Sequence, residues 1–369
     1  MGSRSVTRVT GPLQVRIAAA LTVVGLTAAC GGGPRGDGVA LEPLDAIDAV
    51  IEATGTYPLV ALGEYHQLQE WHDFMAALLL RPEFAENVDD VVVEFGNALY
   101  QDLADRFILD LEPMELAELA QIWRNTSGGG ILWDAPVYEQ FFRNVRSVNE
   151  GLPGEQRIRV LLGDPDVDFS KIQSAADAAE LEKGVDRDAF YADVVEREVI
   201  AKGRSGVLIA GADHLRRAVH SNAGPQFPNV ATLLARRHPP AELFIVYPLP
   251  FEYHLEILRE TEQEMASWPL PSLARLDGTW LGAQAVAHRA LEPDSTFDAQ
   301  VDAVIWFGPR ESLTASRADP AIYRSGEYAA ELRRRGRILS EYYAEPIDFI
   351  AEGLRLATAG PGLDQPSLV

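Results

Sequence analysis

From residue 39 onward the chain alternates short apolar, β-rich runs with longer stretches of helical period. Six runs read as strands: "PLVALG" (58–63), "DVVVEF" (90–95), "RIRVLLG" (157–163), "GVLIAG" (206–211), "LFIVYP" (243–248) and "DAVIWFG" (302–308). Several are apolar throughout, the pattern of strands buried on both faces. Between them, apolar residues recur at helical spacing over 66–81, 97–123, 135–150, 171–202, 213–220, 228–237 and 320–338, and more weakly over 254–266. Strand and helix in alternation build βαβ units. The expected fold class is therefore α/β, a mainly parallel central sheet flanked by helices.

One connection is too long for a simple crossover. Residues 97–150, between the second and third strands, are expected to form a helical insertion that caps a site. Inside it, "NTSGGGILWD" (125–134) sets a glycine run beside Trp133, a composition that suits a lid loop and a surface connector equally.

The N-terminus follows another pattern. "IAAALTVVGLTAA" (17–29) is apolar, follows Arg4, Arg8 and Arg16, and ends in small residues before Cys30, the three parts of a secretory signal. The run is shorter than the roughly 20 residues a membrane-spanning helix needs. Cys30 is the single cysteine, so no intramolecular disulfide can form. With "GGGPRGDG" after it, the segment resembles the lipidation box of bacterial lipoproteins, with Thr27 where that pattern prefers Leu. The implied organisation is a signal peptide over 1–29, a lipidated Cys30 and flexible tether over 30–38, and one α/β domain over 39–369. Such a protein is exported and membrane-anchored; plain cleavage after Ala29 would make it secreted instead.

A formal net charge of −23 argues against nucleic acid and anionic lipid headgroups as partners, since both would repel the chain. Small molecules and cationic ligands remain.

In an open parallel sheet, ligands bind outside the carboxyl ends of the strands. The first strand runs into Gly63, Glu64, Tyr65 and His66, and the second carries Glu94 at its end. The third is followed by Asp164, and the fourth by Gly211, Ala212, Asp213 and His214. Four successive strands thus deliver carboxylates or imidazoles to one edge. Taken singly, Asp164 before Pro165 suits a turn and Asp213 suits a helix cap. Glu94 follows three valines and precedes Phe95, so it is expected to be buried and to need a partner, with His66 and His214 the natural ones. His72 falls on a different helical face from His66, while Glu70 shares that face, so His72 is expected in a supporting or surface role. His220, His238, His254 and His288 join no constellation and read as structural.

"GEYHQLQEWH" is similar to the first motif of ChaN-like haem-binding lipoproteins, which belong to the broader Tiki, TraB and erythromycin-esterase superfamily. "VVVEF" looks like that superfamily's strand ending in Glu, "GADHLRR" resembles its later Gly-x-x-His motif, and "LLGDPD" more loosely resembles the Gly-x-Asp of the esterase branch. The ordered set spans about Leu59 to Arg217. One residue separates Glu64 from His66 where the erythromycin esterases usually have two, which favours the ChaN and Tiki side. ChaN-like proteins hold haem through a tyrosine; Tyr65, Tyr100 and Tyr138 are all open to that role here. Tiki-type members are metal-dependent proteases.

Two chemistries fit these residues. The first is hydrolysis of an ester or amide of a small organic molecule by water. His66 would be the general base, Glu64 or Glu94 would fix its tautomer, and His214 would stabilise the oxyanion or protonate the leaving group. Asp164 belongs to the same edge, and a divalent metal on His66, Glu94 and His214 is a second way to activate the water. The second chemistry is binding of haem or another iron compound at the membrane surface, with Trp123 and Trp133 as walls and Arg216 and Arg217 offsetting propionate charge. An inactive site on the same fold, in an interaction protein, is the third reading.

Overall fold

The computed structural model describes residues 38–221, 223–239, 242–249 and 255–363; Cys30, the expected signal peptide and His254 lie outside the described residues. After β1 (Leu44–Asp45) and α1 (Ala46–Thr56) come β2 (Leu59–Glu64), α2 (Gln69–Leu79), α3 (Pro82–Asn87) and β3 (Asp90–Asn97). The short helices α4 (Gln101–Ile108), α5 (Leu116–Leu119) and α6 (Gln121–Arg124) and the longer α7 (Pro136–Glu150) lead to β4 (Arg159–Asp164). Next are α8 (Ala175–Gly184), α9 (Arg187–Glu198), β5 (Gly206–Gly211), α10 (Val230–Arg237) and β6 (Leu243–Leu249). The chain continues through α11 (Leu255–Met265), β7 (Ser272–Arg275), α12 (Phe297–Gln300) and β8 (Ala303–Trp306). It closes with α13 (Ala321–Arg324), α14 (Glu327–Tyr343) and α15 (Phe349–Ala357).

The strands form one sheet in the order β1-β7-β8-β6-β2-β5-β3-β4. All neighbours are parallel except β7, which runs antiparallel to β1 and to β8. Every residue of β2, β3, β5 and β6 is buried, as their apolar runs require. One apolar layer, including Trp71, Phe95, Tyr138 and Phe142, covers one face of the sheet; another, including Tyr191, Leu234, Trp280 and Phe297, covers the other. At about 1.5–3 kcal/mol for each large side chain fully buried, these two layers supply most of the driving force.

All six expected strands are present, with ends shifted by a few residues. The antiparallel β1 and β7 were not expected: the first is a residue pair and the second, "SLAR", has no apolar run to announce it. Four expected helices break, one of them 320–338, which divides into α13 and α14 at Ser325 and Gly326. Residues 97–123 divide into a 3-10 turn and α4 to α6, and 171–202 divide at Val185, where Asp186 caps the start of α9. Beyond the 3-10 turn Ala212–Leu215, residues 216–220 are not helical; Arg217 N–H donates to Gln300 C=O, and Val219 forms an antiparallel bridge with Ala290. Among the described residues no helix is long and apolar enough to cross a membrane.

The sheet order decides the site. β5 lies between β2 and β3, so their carboxyl ends, with that of β4, stand side by side. Glu64 is in direct register with Gly211. Beyond Val93 the β3–β4 register shifts, so Glu94 falls where the regular pairing ends.

Candidate functional site

Glu64 is the last residue of β2 and is buried. Its Oε1 accepts the Tyr138 hydroxyl at 2.7 Å, faces His72 Nε2 at 3.3 Å and lies 3.5 Å from His66 Nδ1. Burial alone would raise this carboxyl, but the hydrogen bonds and charges of His66 and His72 outweigh it and hold Glu64 well below the usual carboxylate range. Tyr138 comes from α7, and its oxygen also accepts the Gln67 N–H at 3.1 Å, so α7 fixes both the carboxylate and the turn that carries His66. The Trp71 indole N–H donates to Gly63 C=O at 2.8 Å and ties α2 to the same strand end.

The His66 ring is held by shape. It packs edge-on against the Trp133 indole, ring centroids 4.6 Å apart, and its other side lies against Gly211. A Cβ on Gly211 would stand 2.9 Å from His66 Cε1 and 3.0 Å from Nε2, so only glycine leaves room. Gly211 N–H donates to Glu94 Oε2 at 2.6 Å, which brings His66 and Glu94 to the same backbone position.

The opposite side is a charged network. Arg187, the first residue of α9, donates from Nη2 to Glu94 Oε1 at 2.9 Å and from Nε to Asp164 Oδ1 at 3.0 Å. Asp164 also accepts the Ser127 hydroxyl at 2.8 Å and the Ser127 N–H. His214 Nε2 faces Glu94 Oε1 at 3.4 Å, and its Nδ1 donates to Asp188 Oδ1 at 2.8 Å. Asp188 is itself buried, accepting Val230 N–H at 2.9 Å, and so joins the start of α9 to the start of α10.

Burial opposes the charged form of His214, but Asp188 and Glu94 prevail and raise it to about 9. It is therefore an imidazolium at neutral pH. Burial would also raise Glu94; the charges of His214, Arg187 and His66 and the Gly211 N–H hold it below its ordinary value. Asp164 goes the other way, raised mainly by burial in spite of Arg187 and Ser127. The Arg187 side chain is 35% exposed and that of His214 19%, against 7% for both His66 and Glu94, so solvent reaches the site from the Arg187 side.

Glu64, His66, Glu94, Asp164 and His214 therefore meet at one sheet edge. Asp164 is not a turn initiator but a buried partner of Arg187 and Ser127. Asp213 points away: its carboxylate meets Arg216 and Arg289, both at 3.2 Å, and ties this turn to the segment before α12. His72 is buried on Glu64, not at the surface. Glu70 does not share a face with His66, because α2 begins only at Gln69; it accepts the Thr314 N–H and hydroxyl instead. His220 pairs with Ser221 C=O, His238 with Glu196, and His288 faces Asp213.

The metal and haem ligand sets fit less well. Both ring nitrogens of His214 already face carboxylates, Asp188 at 2.8 Å and Glu94 at 3.4 Å. Among the described residues no group of three His, Cys, Asp or Glu is arranged to hold a metal ion. The Tyr138 hydroxyl is spent on Glu64, and that of Tyr100 accepts from Asn125 at 2.8 Å. Trp123 and Trp133 are buried, the former stacked on Phe142, and Arg216 and Arg217 are bound to Gln300 and Asp302.

Sequence reasoning missed Arg187, Asp188 and Ser127, and offered Tyr138 only as a haem ligand, not as the donor to Glu64 that it is. The available signal was "DRD" at 186–188, a helix start hidden inside a stretch of continuous helical period. Tyr138 and Ser127 carried none, because nothing local distinguishes a hydroxyl that reaches across the fold.

No protein-family model matches the chain, and no curated protein matches its sequence. Solved structures do match in shape. A succinoglycan biosynthesis protein aligns with a TM-score of 0.51 at 10% identity, covering 73% of this chain and 94% of its own. An erythromycin esterase, EreC, in its open conformation aligns with a TM-score of 0.47 at 12% identity over 70% of this chain and 92% of its own. The haem-binding ChaN of Campylobacter jejuni aligns with a TM-score of 0.37 at 15% identity over 57% of this chain and 88% of its own. At these identities the likeness to the first is one of fold alone, and the other two scores are lower still.

Proposed function

We propose that this chain is a hydrolase that cleaves an ester or amide of a small to medium organic molecule by direct attack of water. The observation that carries the reading is the pair of imidazoles set around Glu94. His214 is fixed as a cation between Asp188 and Glu94, while His66 meets one carboxylate, Glu64, through Nδ1 alone. With its proton on Nδ1 facing Glu64, His66 keeps a lone pair on Nε2 to take a proton from water. Tyr138 and His72 hold Glu64 for that task. His214 donates its Nε2 proton to the oxyanion or the leaving group, and Arg187 adds positive charge at the mouth. Cys30, the single cysteine, lies outside the described residues, so the described sheet edge carries no thiol nucleophile and water is the attacking group in this reading.

The helices between β3 and β4 serve as a cap, through Ser127, Trp133 and Tyr138. The signal-like N-terminus and Cys30 support a reading in which this activity lies outside the cytoplasm on a lipid anchor. Palmitate labelling that depends on Cys30 tests the anchor.

A panel of esters and amides assayed with the full chain and with His66→Ala and Glu94→Gln tests the function. The base substitution should lower turnover by about 10²- to 10⁴-fold. Unchanged hydrolysis of every accepted substrate in both variants would refute it. A parallel haemin titration that gives a saturable Soret shift at about one equivalent, lost on a site substitution, would put haem binding in its place.

A further inference from the structure

The glycine-bearing loop before α7 has a fixed anchor that the proposed chemistry does not use. Asp134, next to Trp133, is a buried carboxylate. Its Oδ2 accepts the Tyr323 hydroxyl at 2.9 Å and its Oδ1 the Tyr328 hydroxyl at 2.8 Å. Tyr323 belongs to α13 and Tyr328 to α14, so one carboxylate gathers two C-terminal helices. Arg124 of α6 completes the cluster, its Nε 3.4 Å from Oδ1 and its guanidinium 4.3 Å above the Tyr328 ring centre. Gly129 and Gly130 pass beneath Phe169 and Phe349, where a Cβ would come within 2.9 and 3.0 Å of the rings. The loop is thus clasped between the core and the C-terminal helices.

We propose that Asp134 is a positioning residue for the His66 site: through Tyr323 and Tyr328, it lets the C-terminal helices hold Trp133 against the imidazole. A buried carboxylate has no water to solvate it and depends on its protein donors. Removing those donors frees the residue beside Trp133, and with it the wall that His66 packs against. The proposal rests on the hydrolase reading only for what that wall serves.

Ionisation gives the clasp a direction. Burial, opposed by Arg124 and the two phenols, raises the Asp134 carboxyl to about 6. The charged and titratable groups facing it are Arg124, Tyr323 and Tyr328. Both phenols are raised by burial and by Asp134 and remain protonated donors. Protons bind the clasped arrangement more tightly than one in which Asp134 meets water. The clasp therefore gains as pH falls through about 6 towards the ordinary aspartate range.

The test follows Trp133 by acrylamide quenching and near-ultraviolet circular dichroism in the full chain. A His66→Gln background removes the imidazole beside the indole, and the same measurement with Trp133→Phe added isolates the Trp133 signal. Trp133 should become better shielded in acid, with a midpoint near pH 6. Asp134→Asn should abolish that transition, and Tyr323→Phe with Tyr328→Phe should raise Trp133 quenching while far-ultraviolet dichroism stays unchanged. A transition that survives in Asp134→Asn, or equal quenching in the double phenylalanine variant and its parent, overturns the proposal. If either variant fails to fold, Tyr328→Phe alone removes one hydroxyl from a half-buried side chain and is read by the same criterion. None of these readouts uses activity, so failure here is distinct from failure of the hydrolase reading.

Discussion

The His66 imidazole fills the space beside Gly211 that a side chain at 211 would occupy, a Cβ there standing 2.9 Å from His66 Cε1. Gly211→Ala should therefore displace His66 and destabilise the fold by about 1–3 kcal/mol, the usual cost of overpacking. Denaturant melts measure the second effect and the substrate panel the first. An alanine variant with wild-type stability and turnover would mean that the His66 ring has room to spare.

The Asp188–His214 contact makes a statement about alkaline pH. His214 is raised from 6.5 to about 9, so its contribution is complete below 6.5 and is lost as pH rises through about 9. The shift corresponds to on the order of 3 kcal/mol. Asp188→Asn should bring the His214 midpoint, read by NMR, down towards the ordinary histidine range, and should flatten the alkaline loss of stability. If the midpoint stayed put, Glu94 alone would have to account for the cation.

Arg187 joins Glu94 to Asp164, so Arg187→Ala leaves two buried carboxylates short of a partner. Losing one member of a buried pair costs about 3–5 kcal/mol. The partial exposure of Arg187 reduces this to about 1–3 kcal/mol, because water screens the mouth. Arg187→Lys should recover part of it, since one ammonium cannot reproduce the two guanidinium bonds. Chemical denaturation at neutral pH distinguishes the three proteins; equal midpoints would show that solvent, not Arg187, satisfies the pair.

Tyr138→Phe removes the shortest hydrogen bond to Glu64 while keeping the ring that packs against Phe95 and Trp133. The expected cost is about 1–3 kcal/mol, for a buried charged acceptor losing a donor. Turnover should fall at the same time, because Glu64 no longer orients His66. Stability lost without any change in turnover would assign Tyr138 to the core alone.

Much of this arrangement was readable in the chain. The runs at 58–63, 90–95, 157–163 and 206–211 read as strands, several of them apolar enough to be buried on both faces. Their shared direction then required Glu64, Glu94, Asp164 and His214 to leave the sheet at one edge. What those residues meet was decided by the fold. Sheet order put β5 between β2 and β3, and so placed Gly211 under His66 and beside Glu94. The break at Val185 turned Arg187 and Asp188 into a helix start facing that edge, though the surrounding periodicity read as unbroken helix. Asp134 became an anchor only because α13 and α14, far along the chain, returned two phenols to it. Periodicity and burial act along the sequence and can be read from it; ionic and hydrogen-bond partners come from distant segments, and only the packed structure brings them within reach.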